Sequence, residues 1–336
     1  MAYALDDRFS TPRDETVDAL RRCPGDVAVL GAGGKMGPSL TAMLVRAARD
    51  AGGKRMIYAV SRWSDAEARA ALDAAGAKTI NCDLLDHSSV ATLPDAANVV
   101  FMAGQKFGTS EAPSRTWAMN TIVPIHAAER YASSRIAAFS TGNVYPLTPV
   151  ASGGSKETDA VGPVGEYAAS CVGRERVFEH YSDRAGTKVA ILRLNYAIDV
   201  RYGVLLDIGQ RVAQNEPVPL AMGYVNVIWQ GDANRIAIES LPHASSPPFV
   251  LNLTGPDTLS VRELAWRFGR RLGRTPRLEG NEGKDALLSN TTRMRSTFAA
   301  PAVSLDQMIE QVAAAIEAGG PTLGKPTHFE TRDGRF

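Results

Sequence analysis

Short apolar runs alternate with longer amphipathic segments from residue 26 onward. The runs have the length of buried strands, and the segments between them repeat apolar residues at helical spacing. The predicted strands are DVAVLG, RMIYAVS, KTINCD, ANVVFMAG, RIAAFST and KVAILRL. Because successive parallel strands need long right-handed crossovers, this order predicts an α/β fold, a doubly wound parallel sheet of the Rossmann type.

The alternation ends near residue 195. Helices are predicted at VLLDIGQRVAQNE, VRELAWRFGRRLG and LDQMIEQVAAAIEAG, and separate strands at VNVIWQ and FVLNLTG. We therefore expect one Rossmann-type domain over residues 26–195 that continues partly into 225–255. Residues 196–318 should form mainly a smaller C-terminal substrate-binding lobe.

The two ends of the chain differ from this core. Residues 1–25 form an N-terminal extension, in which Thr11-Pro12 followed by Asp14 and Glu15 predicts a short helix over residues 11–22 with an N-cap at Thr11. Residues 319–336 are rich in Gly and Pro and have no clear periodicity, which predicts a loose tail or an arm on a neighbouring surface.

Composition adds limits on partners and location. The 336 residues are 44% hydrophobic and 22% charged, and Lys plus Arg (37) against Asp plus Glu (36) gives a net charge of +1. No global field favours nucleic acid or an anionic membrane, so small-molecule partners are expected. Cys23, Cys82 and Cys171 have no metal-binding spacing, and no secretory signal or membrane-length apolar stretch is found. A cytoplasmic protein without a metal fits best.

The first predicted strand ends in LGAGGKMG, with glycines at 31, 33, 34 and 37, and a helix follows at once. Such a turn lets the backbone approach a pyrophosphate, whose charge meets free N–H groups at the helix N-terminus. The strand before and the helix after supply the context that a dinucleotide-binding motif requires.

The second strand should end in an acid where the ribose 2′-hydroxyl is free, or be followed by arginine where it carries a phosphate. Ser61 and Arg62 occupy this position, and Asp65 comes later, inside the next predicted helix. NADP is therefore favoured, with NAD as the alternative and a solvated Arg62 as the competing interpretation.

Taken in order, the motifs GAGGKMG, CDLLD, FMAG with the later Asn120, FSTGNVYP, KETDAVGPVGEYAAS and LNLTGPDTLSVRELA resemble an extended short-chain dehydrogenase/reductase of the NAD-dependent epimerase/dehydratase type, over about residues 26–315. The resemblance implies a set of cofactor contacts: Gly31, Gly34, Lys35, Met36, Gly37, Ser61, Arg62, Asp83, Leu84, Ala103, Asn120 and Tyr167.

The resemblance also implies Thr141 and Tyr167 as catalytic residues. Hydride transfer at a carbinol carbon needs a base for the hydroxyl proton, and a phenol with a lowered pKa can serve. In the family a lysine one turn after the tyrosine lowers that pKa and binds the nicotinamide ribose. Here Cys171 stands at that position.

Three explanations compete for the missing lysine. Another cation replaces it, with Arg174 on nearly the same helix face and Lys106 in the loop after the fourth strand as catalytic candidates. Alternatively, the substrate needs no acidified tyrosine. The third is loss of catalysis, leaving a dinucleotide-binding sensor or partner subunit. A nucleophilic Cys171 is disfavoured, because no histidine is near in sequence.

Substrate choice belongs to the second lobe. No Lys or Arg lies between Arg211 and Arg235, so the clamp for a nucleotide sugar's diphosphate is missing there, although Arg293 and Arg295 could supply one. We expect a smaller substrate: a sugar, a sugar acid or a similar polyhydroxy carbonyl compound, with a nucleotide sugar as the alternative. Candidate polar contacts are Asn143, Asn195 and Tyr202.

The sequence thus predicts an NAD(P)-dependent oxidoreductase or epimerase, with a catalytically impaired dinucleotide-binding protein as the alternative. By resemblance, a homodimer is expected through two helices matching residues 115–133 and 165–184.

Overall fold

The computed structural model describes residues 6–106, 108–109, 111–325 and 327–334. Its centre is a sheet of seven parallel strands in the order β7-β6-β5-β4-β1-β2-β3. The strands are β1 Val27–Leu30, β2 Ile57–Ser61, β3 Lys78–Asn81, β4 Asn98–Phe101, β5 Arg135–Thr141, β6 Lys188–Leu194 and β7 Phe249–Leu253. The predicted doubly wound Rossmann fold is confirmed.

Side chains of β1 alternate between two apolar cores, one on each face of the sheet. Val27 and Val29 join one core, whereas Ala28 and Leu30 join the other. The strand is fully buried because helices cover both faces. Its run VAVL is therefore continuous rather than alternating, as parallel sheets require.

Helices connect and cover these strands. They are α1 Asp7–Ser10, α2 Asp14–Arg22, α3 Gly37–Ala51, α4 Ala66–Ala75, α5 His87–Ala91, α6 Pro113–Trp117, α7 Val123–Arg130, α8 Gly165–Ala185, α9 Val204–Ala213, α10 Gln230–Glu239, α11 Val261–Leu272, α12 Thr292–Thr297 and α13 Leu305–Glu317. A π-helical turn, Ala118–Ile122, joins α6 to α7. Single-turn 3₁₀ helices occur at Gly142–Val144, Val150–Ser152 and Leu241–His243. No helix in these described residues is both long and apolar enough to cross a membrane.

The N-terminal extension differs from the prediction. Two helices replace the single one, and Thr11 ends α1 instead of capping α2, with its hydroxyl donating to the carbonyl oxygen of Asp7 (2.8 Å). Pro12 disfavours helical backbone at Thr11, so α2 begins only at Asp14. The extension packs on α3 and α10.

The second lobe has its own apolar core, built from α9, α11 and α13. Short two-stranded pairs surround it: Thr148–Pro149 with Asp285–Ala286, Ala197–Ile198 with Ile228–Trp229, Pro217–Pro219 with Arg277–Glu279, and Tyr224–Val225 with Leu259–Ser260. The predicted strand FVLNLTG is β7, so the chain returns from this lobe to complete the central sheet.

Candidate active site

A cleft runs along the carboxyl edge of the sheet, over the neighbouring strands β1 and β4. Strand order reverses at this point, which is where ligands bind in open α/β sheets. Of the residues predicted for the site, all except Asn120 line this cleft: Gly31, Gly34, Lys35, Met36, Gly37, Ser61, Arg62, Asp83, Leu84, Ala103, Lys106, Thr141, Asn143, Tyr167, Arg174, Asn195 and Tyr202.

Sequence reasoning missed other lining residues. Trp63, Gly104, Ser140 and Tyr196 each lie at or just beyond the carboxyl end of a strand, which is a signal that could have identified them. Thr327, from the C-terminal tail, carries no such signal.

The glycine-rich loop after β1 presents backbone rather than side chains to the cleft. Gly31 has φ of +92°, and a Cβ there would lie 2.7 Å from the backbone nitrogen of Ala103. A Cβ on Gly33 would lie 2.5 Å from Ser61 Oγ. The loop leads into the N-terminus of α3, where unpaired N–H groups favour an anion. Its residues therefore fit the pyrophosphate of a dinucleotide.

One end of the cleft is formed by the residues after β2 and β3. Arg62 and Asp83 approach each other to 4.0 Å, and both side chains are about half exposed (53% and 47%). The backbone turns at Trp63, where φ is +51°. The indole N–H of Trp63 donates to the carbonyl of Ile80 (2.9 Å). Arg62 is thus positioned beside an acid at the cleft edge, with its guanidinium accessible to a ligand.

Thr141 and Tyr167 meet in the middle of the cleft. Thr141 is the last residue of β5, Tyr167 lies in the first turn of α8, and both line the same cavity. Burial and the neighbouring Cys171 raise the pKa of the Tyr167 phenol, whereas Arg174 and the Thr141 hydrogen bond lower it without cancelling that rise. The phenol therefore holds its proton at neutral pH.

Cys171 is fully buried next to this pair. It packs with Val144 and Tyr145, and burial raises the pKa of its thiol. A buried protonated thiol is a poor nucleophile. Cys171 accordingly acts as a small apolar residue and gives Tyr167 no positive charge.

Arg174 brings a cation to the same cleft from one turn further along α8. It is 6% exposed and donates to the carbonyl of Phe139 (2.9 Å) and to the side-chain oxygen of Asn120, whereas its Nε has no hydrogen-bond partner among the described residues. A Cβ on Gly104 would collide with the guanidinium, so this glycine makes room for it. Asn120 itself is fully buried and also bonds Gln105. Asn120 therefore holds Arg174 and the backbone of Gln105 in place without lining the cleft.

A buried ion pair fixes α8 against the sheet. Glu175 bonds Arg193 of β6 at 2.7 Å and accepts a hydrogen bond from Ser140 Oγ (2.5 Å). Arg193 also donates to the hydroxyl of Tyr145 (2.6 Å). Since breaking a buried pair leaves an uncompensated charge, this network holds α8 against β5 and β6.

Two lysines reach the cleft from different loops. Lys35 Nζ donates to the carbonyl of Ala197 (2.9 Å) and lies 4.7 Å from the centre of the Tyr202 ring. Lys106 Nζ donates to the carbonyl of Thr327 (3.1 Å). Burial lowers the pKa of each ammonium to about 8.

The predicted substrate contacts lie at the other end of the cleft. The backbone N–H of Asn143 donates to Thr141 Oγ1 (3.2 Å), and the amide of Asn195 donates to the carbonyl of Leu287 (3.3 Å). Burial raises the pKa of the Tyr202 phenol. Asn195 therefore uses one amide hydrogen for a contact within the fold, and both Asn143 and Asn195 line the cavity.

The C-terminal strap, described over residues 321–325 and 327–334, closes this end. Thr327 donates its backbone N–H and its hydroxyl to Asp207 (2.8 and 2.5 Å), and Phe329 is 1% exposed in the core of the second lobe. Arg332 pairs with Asp285. The tail that the sequence left open between a loose end and an arm is docked on the chain's own second lobe.

The profile of the NAD dependent epimerase/dehydratase family matches residues 27–198, more than half of the chain. This protein belongs to that family of NAD(P)-dependent enzymes. No curated protein matches the sequence.

Solved structures share the fold at low sequence identity. A UDP-glucose 4-epimerase from Thermotoga maritima, determined with UDP-glucose, has a TM-score of 0.71 at 17% identity, covering 88% of this chain and 99% of its own. A dTDP-glucose 4,6-dehydratase from Streptomyces venezuelae gives 0.72 at 18% identity, covering 87% and 97%. A UDP-glucuronic acid 4-epimerase from Bacillus cereus gives 0.72 at 14% identity, covering 87% and 99%.

Proposed function

We propose that this protein is an NAD(P)-dependent oxidoreductase or epimerase that transfers hydride at a carbinol or carbonyl carbon of a sugar, sugar acid or similar polyhydroxy compound. The observation that carries the proposal is that Thr141 and Tyr167 line one cavity, and that Tyr167 lies in the same cleft as the glycine-rich loop. A proton-transfer group and a dinucleotide cradle are what this reaction needs.

The chemistry supplied by a bound nicotinamide dinucleotide is hydride transfer. Tyr167 handles the proton: it gives one to a carbonyl oxygen in reduction and takes one from a hydroxyl in oxidation. Thr141 orients the same substrate oxygen by hydrogen bonding. Since burial keeps Tyr167 protonated, the free enzyme already holds the proton that carbonyl reduction consumes.

Arg174 is the proposed replacement for the missing lysine. Its guanidinium lowers the pKa of Tyr167, and its Nε has no hydrogen-bond partner among the residues that the structure describes, so Arg174 stabilises negative charge on the phenol during oxidation. Lys106 lines the same cleft, but its ammonium donates to the carbonyl of Thr327 in the C-terminal strap. These contacts favour Arg174 for the electrostatic role.

NADP is the proposed preference over NAD, on the strength of the exposed Arg62 guanidinium at the cleft edge. Asp83 nearby supports the opposite choice, because an acid can bond a free 2′-hydroxyl. Direct comparison of the two cofactors decides between them.

A small substrate is favoured over a nucleotide sugar. Arg293 donates to the carbonyl of Val250 (2.7 Å), and neither Arg293 nor Arg295 is among the described residues that line the cleft. Residues Thr331, Arg332 and Gly334 of the C-terminal strap line the groove beyond Asn143. The strap thus borders the groove into which a longer substrate would extend, which favours a small one, although a protein of the same fold was determined with UDP-glucose.

A homodimer is proposed through the surface formed by α6, the π-helical turn and the start of α8. Three of the five large hydrophobic residues that are exposed among the described residues lie there: Trp117 (38%), Ile122 (43%) and Val164 (44%). Clustered exposed apolar residues mark interaction sites.

The second candidate is a non-catalytic dinucleotide-binding protein, favoured by Cys171 and by the raised pKa of Tyr167. A screen separates the two. Sugars, sugar acids, their oxidised forms and UDP-sugars are added with each cofactor, while nicotinamide absorbance and epimer formation by chromatography are followed. Hydride transfer or an epimeric product supports an enzyme; cofactor binding without either supports the alternative.

A further inference from the structure

Tyr196 has a strained backbone conformation in the wall of the cleft. Its φ is +47°, in the left-handed region that a bulky side chain rarely adopts. Contacts on both sides hold it there: the backbone N–H of Asn195 donates to the carbonyl of Leu253 (3.0 Å), and the carbonyl of Tyr196 accepts the N–H of Ile228 (3.1 Å). Such strain persists only where the surrounding fold over-determines it, and it is concentrated at ligand sites. The fold therefore fixes the direction of this side chain.

The Tyr196 side chain lies on the substrate side of the cleft. It lines the cavity that contains Thr141 and Tyr167, and it also lines the groove that the C-terminal strap borders. It is not among the described residues that line the two cavities around Gly31 and Gly34. The cavity shared with Tyr167 measures about 140 Å³, small beside the ~300–1,000 Å³ typical of drug-sized ligands. A compact molecule that reaches Tyr167 in this cavity therefore contacts Tyr196 as well.

The hydroxyl of Tyr196 has no hydrogen-bond partner in the part of the chain that the structure describes. Tyr145, which lines the same groove, differs: its hydroxyl donates to Asn252 (2.9 Å) and accepts a hydrogen bond from Arg193 (2.6 Å). Burial raises the pKa of the Tyr196 phenol, so the group keeps its proton and is a donor at neutral pH. Because buried phenols normally find a partner, this donor is suited to a ligand that enters the cavity.

We propose that Tyr196 is a specificity-determining residue that contacts the substrate: its hydroxyl donates a hydrogen bond to a sugar hydroxyl other than the one that Tyr167 addresses. This rests on the proposed function and narrows its substrate class to polyhydroxy compounds that carry an oxygen at this second position. The two tyrosines have different roles. Tyr167 handles the proton at the reacting carbon, whereas Tyr196 fixes the orientation of the sugar, because one contact alone leaves the molecule free to rotate.

The first test needs no substrate. Tyr196→Phe should leave the thermal unfolding midpoint of the free protein unchanged, because the hydroxyl that it removes bonds no described part of the fold. Tyr145→Phe is the matched comparison and should lower the midpoint, since its hydroxyl has two partners. An equal fall in both variants would show that the Tyr196 hydroxyl serves the fold, and would overturn the proposal.

The second test is calorimetric titration of D-glucose, D-galactose, D-mannose and D-glucuronate into the protein saturated with its tighter-binding cofactor, followed by the monodeoxy analogues of the sugar that binds best. In wild type, the analogue that lacks the recognised oxygen should bind about five- to a hundredfold more weakly than its parent, because it leaves the phenol unpaired. Tyr196→Phe should lose this one preference and keep those at the other carbons. Tyr224→Phe, a partly buried tyrosine on the same core and outside both cavities, should retain the wild-type pattern.

Two further results would overturn the proposal. One is that Tyr196→Phe binds the parent sugar as tightly as wild type does. The other is that it weakens the parent and every deoxy analogue by the same factor, which would mean that the hydroxyl acts through the fold instead of on one sugar oxygen. Failure of the proposed function is read separately: the sugar would bind through Tyr196, yet no compound in the screen would change the nicotinamide absorbance or yield an epimer.

Discussion

Positive charge near Tyr167 comes from position 174 instead of position 171. Arg174 lies within the cleft because Gly104 leaves space for its guanidinium and because Phe139 and Asn120 accept its hydrogen bonds. A planar, permanently charged group held at two points is a more rigid cation than a lysine. The change at Cys171 is thus compatible with retained catalysis.

Arg174→Met should lower the oxidation rate and move the apparent pKa of the rate profile upward. Arg174 favours the phenolate, so its removal raises the pKa of Tyr167. The increase in oxidation rate that accompanies deprotonation of Tyr167 therefore moves to higher pH. Rate–pH profiles of wild type, Arg174→Met and the double variant Arg174→Met/Cys171→Lys measure this. The double variant should recover part of the lost rate, and an unshifted profile in Arg174→Met would exclude the role.

Arg62→Ala should reduce the ratio of NADP to NAD affinity by about tenfold or more, since a charged contact to phosphate contributes roughly 1.5–3 kcal/mol. Calorimetric titration of both cofactors measures the ratio. Arg69→Ala, which changes another exposed arginine just beyond this site, is the matched control. An unchanged affinity ratio in Arg62→Ala would show that Arg62 is a solvated surface charge and does not contact the 2′-phosphate.

At the scale of elements, the order of strands and helices was predictable because the two patterns differ. Buried strands are short continuous apolar runs, whereas amphipathic helices repeat apolar residues at helical spacing. The break at Thr11 was missed, since the stretch reads as one helix with proline in its first turn. The sequence left the C-terminal strap open between a loose tail and an arm, and it did not indicate which surface an arm would bind. Thr327 and Phe329 are anchored by residues of the second lobe that are distant in sequence. Such long-range contacts cannot be predicted from the local sequence pattern.

Phe329→Ala should release the C-terminal strap without unfolding the protein. The buried ring supplies apolar packing worth about 3–5 kcal/mol in a well-packed core, and the backbone hydrogen bonds of Thr327 do not replace it. We expect faster proteolysis near the C-terminus and a higher KM for the substrate, with cofactor affinity unchanged. Thr322→Ala, at an exposed position of the same strap, should behave as wild type. Identical proteolysis of both variants would argue against the anchor.

At the scale of the whole molecule, two lobes and the strap bring together groups that are far apart in sequence. Tyr167 could be predicted from its motif, but the meeting of Lys35, Lys106 and Thr327 depends on how the loops after β1 and β4 face the second lobe. The exposed apolar residues on α6, on the π-helical turn and at the N-cap of α8 are the surface proposed above for a second copy of the chain.

Ile122→Asp should convert the proposed dimer to a monomer, because it places a charge at the centre of an apolar contact. Light scattering across a range of concentrations measures the mass. Met56→Asp, at an equally exposed apolar position outside this surface, is the control. A wild-type monomer at all concentrations would contradict the proposed interface.

The most direct test of the central claim, hydride transfer with Tyr167 as the proton-transfer group, is the rate of nicotinamide absorbance change in wild type and Tyr167→Phe, measured with the compound that the screen identifies. The ring remains and only the transferable proton is lost, so the rate should fall about 100- to 10,000-fold while the Kd for the cofactor is unchanged. Equal rates in the two proteins would contradict the account.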